Sequence, residues 1–170
     1  MRKKVRVSLP KLIHEVIYRD IRYFGMKKET IYNNIVHGLG FEKLLDIGGE
    51  LIDEKKSISF NLNEINTELF PEMLKFHCIN KDALFLGKLF MTYANLHPAI
   101  RERVLHKNLF LRVEQAIKES KHIKIYYNKQ LLDVVPLAFE RDTESGYNYL
   151  KIKYGNQEFL YEMKNIEYVA

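Results

Sequence analysis

The chain has 170 residues, with 27 Lys and Arg against 22 Asp and Glu, and 46% apolar residues, enough for a packed core and against intrinsic disorder as the main state. Its single cysteine, Cys78, excludes an intrachain disulfide and fits a reducing compartment. The basic start MRKKVRVSLPKLIHEV carries charges at Lys11, Glu15 and Arg19 where a signal peptide would be apolar, and the longest uncharged run, Leu89 to Ile100, is far shorter than the roughly 20 residues of a membrane helix. A soluble, cytoplasmic protein with no membrane partner is expected.

The net charge of +5 is unevenly placed. Residues 1–46 hold ten basic and five acidic side chains, leaving 17 of each for residues 47–170. A basic head on a neutral body is the asymmetry expected of nucleic-acid binding.

In that head, Val5, Val7 and Leu9 alternate with Lys4, Arg6 and Ser8, which predicts a strand with one buried and one basic face. Pro10 suits the first position of a helix, where its missing N–H costs nothing. Ile13, Val16, Ile17, Ile21 and Phe24 then recur at helical spacing up to a stop at Gly25. A second helix is predicted through Ile31, Ile35, Val36 and Leu39. About 40 residues make too small a core alone, and one strand cannot satisfy its own edges. A partner strand from a second chain is therefore expected.

This order, with KKVRVSLP in front and FGMKKET between the helices, resembles the ribbon-helix-helix family of DNA-binding domains. The resemblance implies an intertwined homodimer whose two-stranded ribbon enters the major groove of duplex DNA, an operator. It places Lys4, Arg6 and Ser8 on the outward face of the ribbon. Arg6 suits bidentate contact to guanine, Lys4 guanine or phosphate, and Ser8 either. It also points the start of the second helix, Lys27 and Lys28, at a phosphate, with Lys27 standing where the family often has a Ser or Thr cap.

The middle of the chain reads as a mainly helical connector, 47–119. A helical stretch from Phe41 to Asp53 is interrupted by Gly48-Gly49, and Asp53 to Lys56 reads as a turn. Ile58, Phe60 and Leu62 alternate in an Asn-rich, hence poor, strand. Helices are predicted over 64–79 and 82–96, and from Pro98 to Ile117 with a break near His106 to Asn108.

After Ser120 the period changes to two, and five short strands follow, joined by turns at Asn128-Lys129, Asp142 to Gly146 and Gly155-Asn156. A small closed barrel is expected, because closure removes open edges. The segments RVEQAIKESKHIKIYYN, VVPLAF, GYNYLKIKY and EFLYEMKNI resemble the WYL domain, an Sm-like barrel regarded as a sensor of nucleic acid or small ligands. Asn148-Tyr149-Leu150 stands for the Trp-Tyr-Leu run, without its Trp, and Val134-Val135-Pro136 for the family's Val-x-Pro. Phe159, Tyr161 and Asn165 occupy the places of an Arg-x-Phe-x-x-x-Arg run, so both arginines of its anion pocket are absent. Independently, Tyr147, Tyr149, Lys151 and Lys153 alternate with Leu150, Ile152 and Tyr154, a stripe able to hold single-stranded RNA or another ligand by stacking and charge. The seven basic and seven acidic residues of this tail give it no net field.

His14, His37, His77, His97, His106 and His122 show no metal-binding spacing, and Cys78 lies in an apolar stretch, as a buried inert thiol would. No phosphate loop or paired carboxylates are seen, so no metal, no cofactor and no enzymatic activity are expected. The fold class expected is α+β: a ribbon-helix-helix dimer module (1–46), the helical connector (47–119) and a five-stranded WYL-like barrel (120–170). The function expected is a homodimeric DNA-binding transcriptional regulator. The alternative is an RNA-binding accessory protein of a type VI CRISPR RNA-targeting system, with the effector nuclease as partner, since the same architecture resembles such proteins.

Overall fold

In the computed structural model, which describes residues 1–46 and 54–170, the first alternation forms strand β1 (Lys4–Pro10), with Val5, Val7 and Leu9 buried and Lys4, Arg6 and Ser8 exposed. Helix α1 (Lys11–Phe24) follows directly, buries Ile13 and Ile17, and ends at Gly25 in the left-handed conformation (φ 62°). A carbon side chain would be strained there, which is why glycine stops the helix. Helix α2 (Lys28–Leu39) buries Ile31, Ile35, Val36 and Leu39. It ends at Leu39, so the helix expected from Phe41 is absent over 41–46; its Gly48-Gly49 break lies outside the described residues.

The partner of β1 comes from the same chain, which corrects the expectation of a second chain. Strand β2 (Lys55–Asn61) runs antiparallel to β1, from the pair Lys4–Asn61 to the pair Pro10–Lys55. Lys55 and Lys56, expected in a turn, are strand residues. The Asn-rich composition was a poor guide because tertiary burial of Phe60, with Leu62 just beyond, outweighs local propensity. With both strands in one chain, the argument for an intertwined homodimer falls away.

Helices α3 (Glu64–Phe76) and α4 (Asp82–Ala94) complete the first of two units, Met1–Leu96. Asn63 caps α3 by accepting from the Asn66 N–H at 2.9 Å. Leu9, Ile17, Phe85, Leu89, Phe90 and Tyr93 are essentially solvent-free in its core. There the Tyr93 hydroxyl donates to Asp20 Oδ2 at 2.5 Å, both residues fully buried. Asn33 of α2 anchors the end of the ribbon: its Nδ2 donates to Asn61 O at 3.0 Å, and its Oδ1 accepts from Asn63 N at 2.7 Å. Cys78 is exposed rather than buried, a second correction: α3 stops at Phe76 and Cys78 turns away in the left-handed conformation (φ 54°).

The second unit, His97–Ala170, begins with α5 (Pro98–Leu105) and α6 (Lys107–Glu119), broken at His106 as the spacing predicted. Five antiparallel strands follow: β3 (Ile123–Tyr127), β4 (Gln130–Arg141), β5 (Asn148–Tyr154), β6 (Gln157–Glu162) and β7 (Ile166–Val169), ordered β6-β5-β4-β3-β7. The sheet is open, not the closed barrel expected, because the four residues of β7 hydrogen-bond β3 alone and β6 remains an edge. It is nevertheless strongly curled. Pro136, which lacks a donor, sits where the register of β4 with β5 shifts, and Tyr127 of β3 stacks on Tyr161 of β6 at 4.1 Å between ring centres. Phe110 and Val113 of α6 fill the concave face with Ile125, Val134, Leu150 and Ile152. No helix among the described residues is long and apolar enough to cross a membrane.

Candidate nucleic-acid interface

Because β1 buries Val5, Val7 and Leu9 and β2 turns Ile58 and Phe60 to the same side, the alternate side chains of the two strands form one outward face. Across the ladder, Lys4 lies opposite Asn61, Arg6 opposite Ser59 and Ser8 opposite Ser57, with Lys55 at the end. All seven are exposed, none is acidic, and Lys4, Arg6 and Lys55 carry positive charge. The Ser8 and Ser57 hydroxyls are 2.9 Å apart, which fixes the strands at that step. Such a face offers donors and charge to a polyanion without a carboxylate to repel it.

The start of α2 adds to this face only in part. Arg2, Lys27, Thr30 and Asn34 border an open depression of about 350 Å³ beside Asn63, where Glu29 sets a carboxylate among them. Lys27 is the cap residue, in extended conformation, and makes no side-chain cap bond. Lys28 is engaged instead. Its ammonium lies 4.8 Å from the centre of the Tyr18 ring and hydrogen-bonds the Tyr18 hydroxyl, which holds that phenol below its ordinary pKa and the ammonium above its own.

The tail stripe is not the continuous surface expected. Tyr147 is only 2% exposed, because it lies at the buried entry to β5 and not on its outer face. Tyr154 shares the face of Leu150 and Ile152 by register but lies at its uncovered end, 51% exposed near the turn at Gly155. Lys151 sits between carboxylates, 3.4 Å from Glu158 and 3.9 Å from Glu140, and only Lys153 is both exposed and cationic. Burial first, then the neighbouring Glu162 carboxylate, pushes Tyr149 above the ordinary phenol value. Where the WYL family has its Trp, Asn148 is buried and bonded: its backbone N–H and Nδ2 donate to Glu102 Oε1 at 2.7 and 2.8 Å, and Nδ2 also donates to Ala99 O at 2.8 Å. Phe159 and Tyr161 stack at 6.2 Å, and Asn165 donates to Glu162 Oε2 at 3.2 Å.

Several histidines serve the fold. His14 Nε2 donates to Lys56 O at 2.9 Å, His77 Nε2 to Gly40 O at 2.8 Å, and His97 Nδ1 accepts from the Ala99 N–H at 3.1 Å. Among the described residues no three His, Cys, Asp or Glu side chains are grouped so as to hold a metal ion. The residues that sequence reasoning missed are those of β2, Lys55, Ser57, Ser59 and Asn61. Their signal was present in the alternation of Ile58, Phe60 and Leu62.

No family model matches the chain. It is 26% identical, over 92% of its own length and 76% of the relative's, to a protein named ribonuclease HII from Methanosphaera stadtmanae. That relative is named as an enzyme, and the similarity overturns the expectation of a protein without enzymatic activity. Its fold is that of a solved CRISPR Cas-related protein, with a TM-score of 0.75 at 13% identity. The match covers the whole of this chain and 63% of that one, so this chain spans under two thirds of its structural neighbour.

Proposed function

We propose that the chain is a nucleic-acid-binding accessory protein of a CRISPR-related RNA-targeting system, and that the β1–β2 ribbon takes the nucleic acid. The observation that carries this reading is the outward ribbon face, in which Lys4, Arg6 and Lys55 stand among Ser8, Ser57, Ser59 and Asn61 with no carboxylate. Its backing is the fold shared with a CRISPR Cas-related protein, and RNA is favoured as ligand by the relative named for a ribonuclease. In this reading the strand-helix-helix order is a ribbon-helix-helix module, the curled sheet a WYL-like domain, and an effector nuclease the protein partner. The tail stripe is secondary, since Tyr147 is buried and Lys151 is neutralised by Glu140 and Glu158.

A second reading, a regulator that binds an operator, is favoured by the ribbon's shape, because a two-stranded ribbon fits the major groove of B-form DNA and not the narrow one of an RNA duplex. One experiment separates the two. Fluorescence anisotropy with single-stranded RNA and with duplex DNA across salt should give tighter binding to RNA, a log-log slope of about −0.7 per phosphate contacted, and a loss on Arg6→Ala. Preference for duplex DNA would favour the regulator, and equal binding by wild type and Arg6→Ala would remove the ribbon from either reading. Gel analysis of the same RNA samples, with and without a divalent cation, tests whether the chain itself cuts RNA.

A further inference from the structure

The strand-helix-helix order occurs twice in the first unit, as β1-α1-α2 and β2-α3-α4. One constant spacing in the sequence carries buried positions onto buried positions: Leu9 onto Leu62, Ile17 onto Phe70, Asp20 onto Met73. A spacing one residue longer carries Ile31 onto Phe85, Ile35 onto Leu89 and Leu39 onto Tyr93, and the cap Lys27 onto the cap Lys81. By the strand spacing the counterpart of Arg6 is Ser59, which is the residue paired with it across the ladder. Two antiparallel counterpart strands can meet that condition at one place only, where a two-fold axis would pass between them.

The outward residues of the two halves differ in charge. Lys4, Arg6 and Ser8 on β1 have Ser57, Ser59 and Asn61 as their counterparts on β2. At the second helices, Lys28 has the counterpart Asp82, which forms an ion pair with Lys3 at 3.0 Å and places a negative charge at the start of α4. We propose that one chain supplies both halves of a two-fold-like ribbon, so that a single chain forms the complete binding face, and that this face is one-sided. Lys4 and Arg6 hold the phosphates on one half, while their counterparts Ser57 and Ser59 make only polar contacts and the other half keeps a single charge on the face, Lys55 at the ribbon's end, so an unsymmetrical nucleic acid is held in one direction and no palindrome is needed. This rests on the ribbon being the nucleic-acid surface.

The test uses the full chain and a fluorescein-labelled oligouridylate RNA of about 20 nucleotides, with anisotropy read near 0.1 M salt, where each phosphate contact is worth about fivefold in affinity. Lys4→Ala should lose about fivefold, and moving the charge to the counterpart position, Lys4→Ala with Ser57→Lys, should restore affinity to within about twofold. Arg6→Ser should lose affinity likewise, and the swap Arg6→Ser with Ser59→Arg should recover it, because the axis passes between the two residues. All four positions are exposed, and circular dichroism would confirm that each variant is folded. If the single changes weaken binding and neither transfer restores it, the two halves are not counterparts and the inference fails while the ribbon remains the site. If Lys4→Ala and Arg6→Ser both bind as wild type, the ribbon is not the site, and the inference falls with the reading beneath it.

Discussion

Arg6 and Ser59 stand directly opposite each other in the β1–β2 ladder, a guanidinium facing a small hydroxyl at the middle of the exposed ribbon face. Arg6 makes no ion pair with a described residue, so its charge is available to a ligand. Arg6→Ala should lower the magnitude of the salt slope for single-stranded RNA by about 0.7 while shifting stability by no more than about 0.5 kcal/mol. Salt-dependent anisotropy and urea denaturation of the same variant check both parts.

Lys151→Ala should do little to nucleic-acid binding by comparison, less than about twofold at moderate salt, because Glu140 and Glu158 already compensate its charge. A loss as large as that of Arg6→Ala would move the interface to the curled sheet.

Tyr93→Phe removes the hydroxyl that donates to the fully buried Asp20 carboxylate. Leaving the buried Asp20 oxygen without this donor should cost about 2 kcal/mol. A denaturation midpoint equal to that of wild type would show that the Asp20 carboxylate does not depend on this bond.

Asn148→Ala deletes the side-chain amide that joins Glu102 Oε1 and Ala99 O, and should destabilise the His97–Ala170 unit by about 2 to 3 kcal/mol. Asn148→Asp should cost more, since it sets a second carboxylate against Glu102 in a buried place. Urea denaturation followed by tyrosine fluorescence orders the three proteins; Asp equal to Asn would refute the arrangement.

Burial lowers the pKa of His106, at the junction of α5 and α6. With the folded value below the unfolded one, the unfolded chain binds the proton first. This group's contribution is therefore fully present above the unfolded value near pH 6.5 and is lost as pH falls toward and through the folded one. His106→Gln should flatten the stability profile below about pH 6.5, measured as denaturation midpoints against pH. A slope identical to that of wild type would assign the loss to other groups.

Much of the local structure was legible from pattern alone. The stop at Gly25, the break at His106 and the five tail strands follow from a left-handed glycine, a lapse in helical periodicity and period-two alternation, and each depends on neighbours in sequence. Of the candidate site, Lys4, Arg6 and Ser8 were readable for the same reason: alternation says which side chains face outward. Asn148 was not readable as a buried anchor, because nothing near it in sequence reveals that Ala99 and Glu102 will meet it.

The sequence by itself therefore determined the outward basic residues of β1 and the elements around them, through short-range periodicity, capping and turn chemistry. Only the tertiary structure decided that β2 pairs with β1 within one chain, that the sheet stays open, and that Tyr147 is buried while Cys78 is exposed. Those outcomes depend on which distant surfaces bury one another, a competition among many strand pairings and packings that no local pattern resolves.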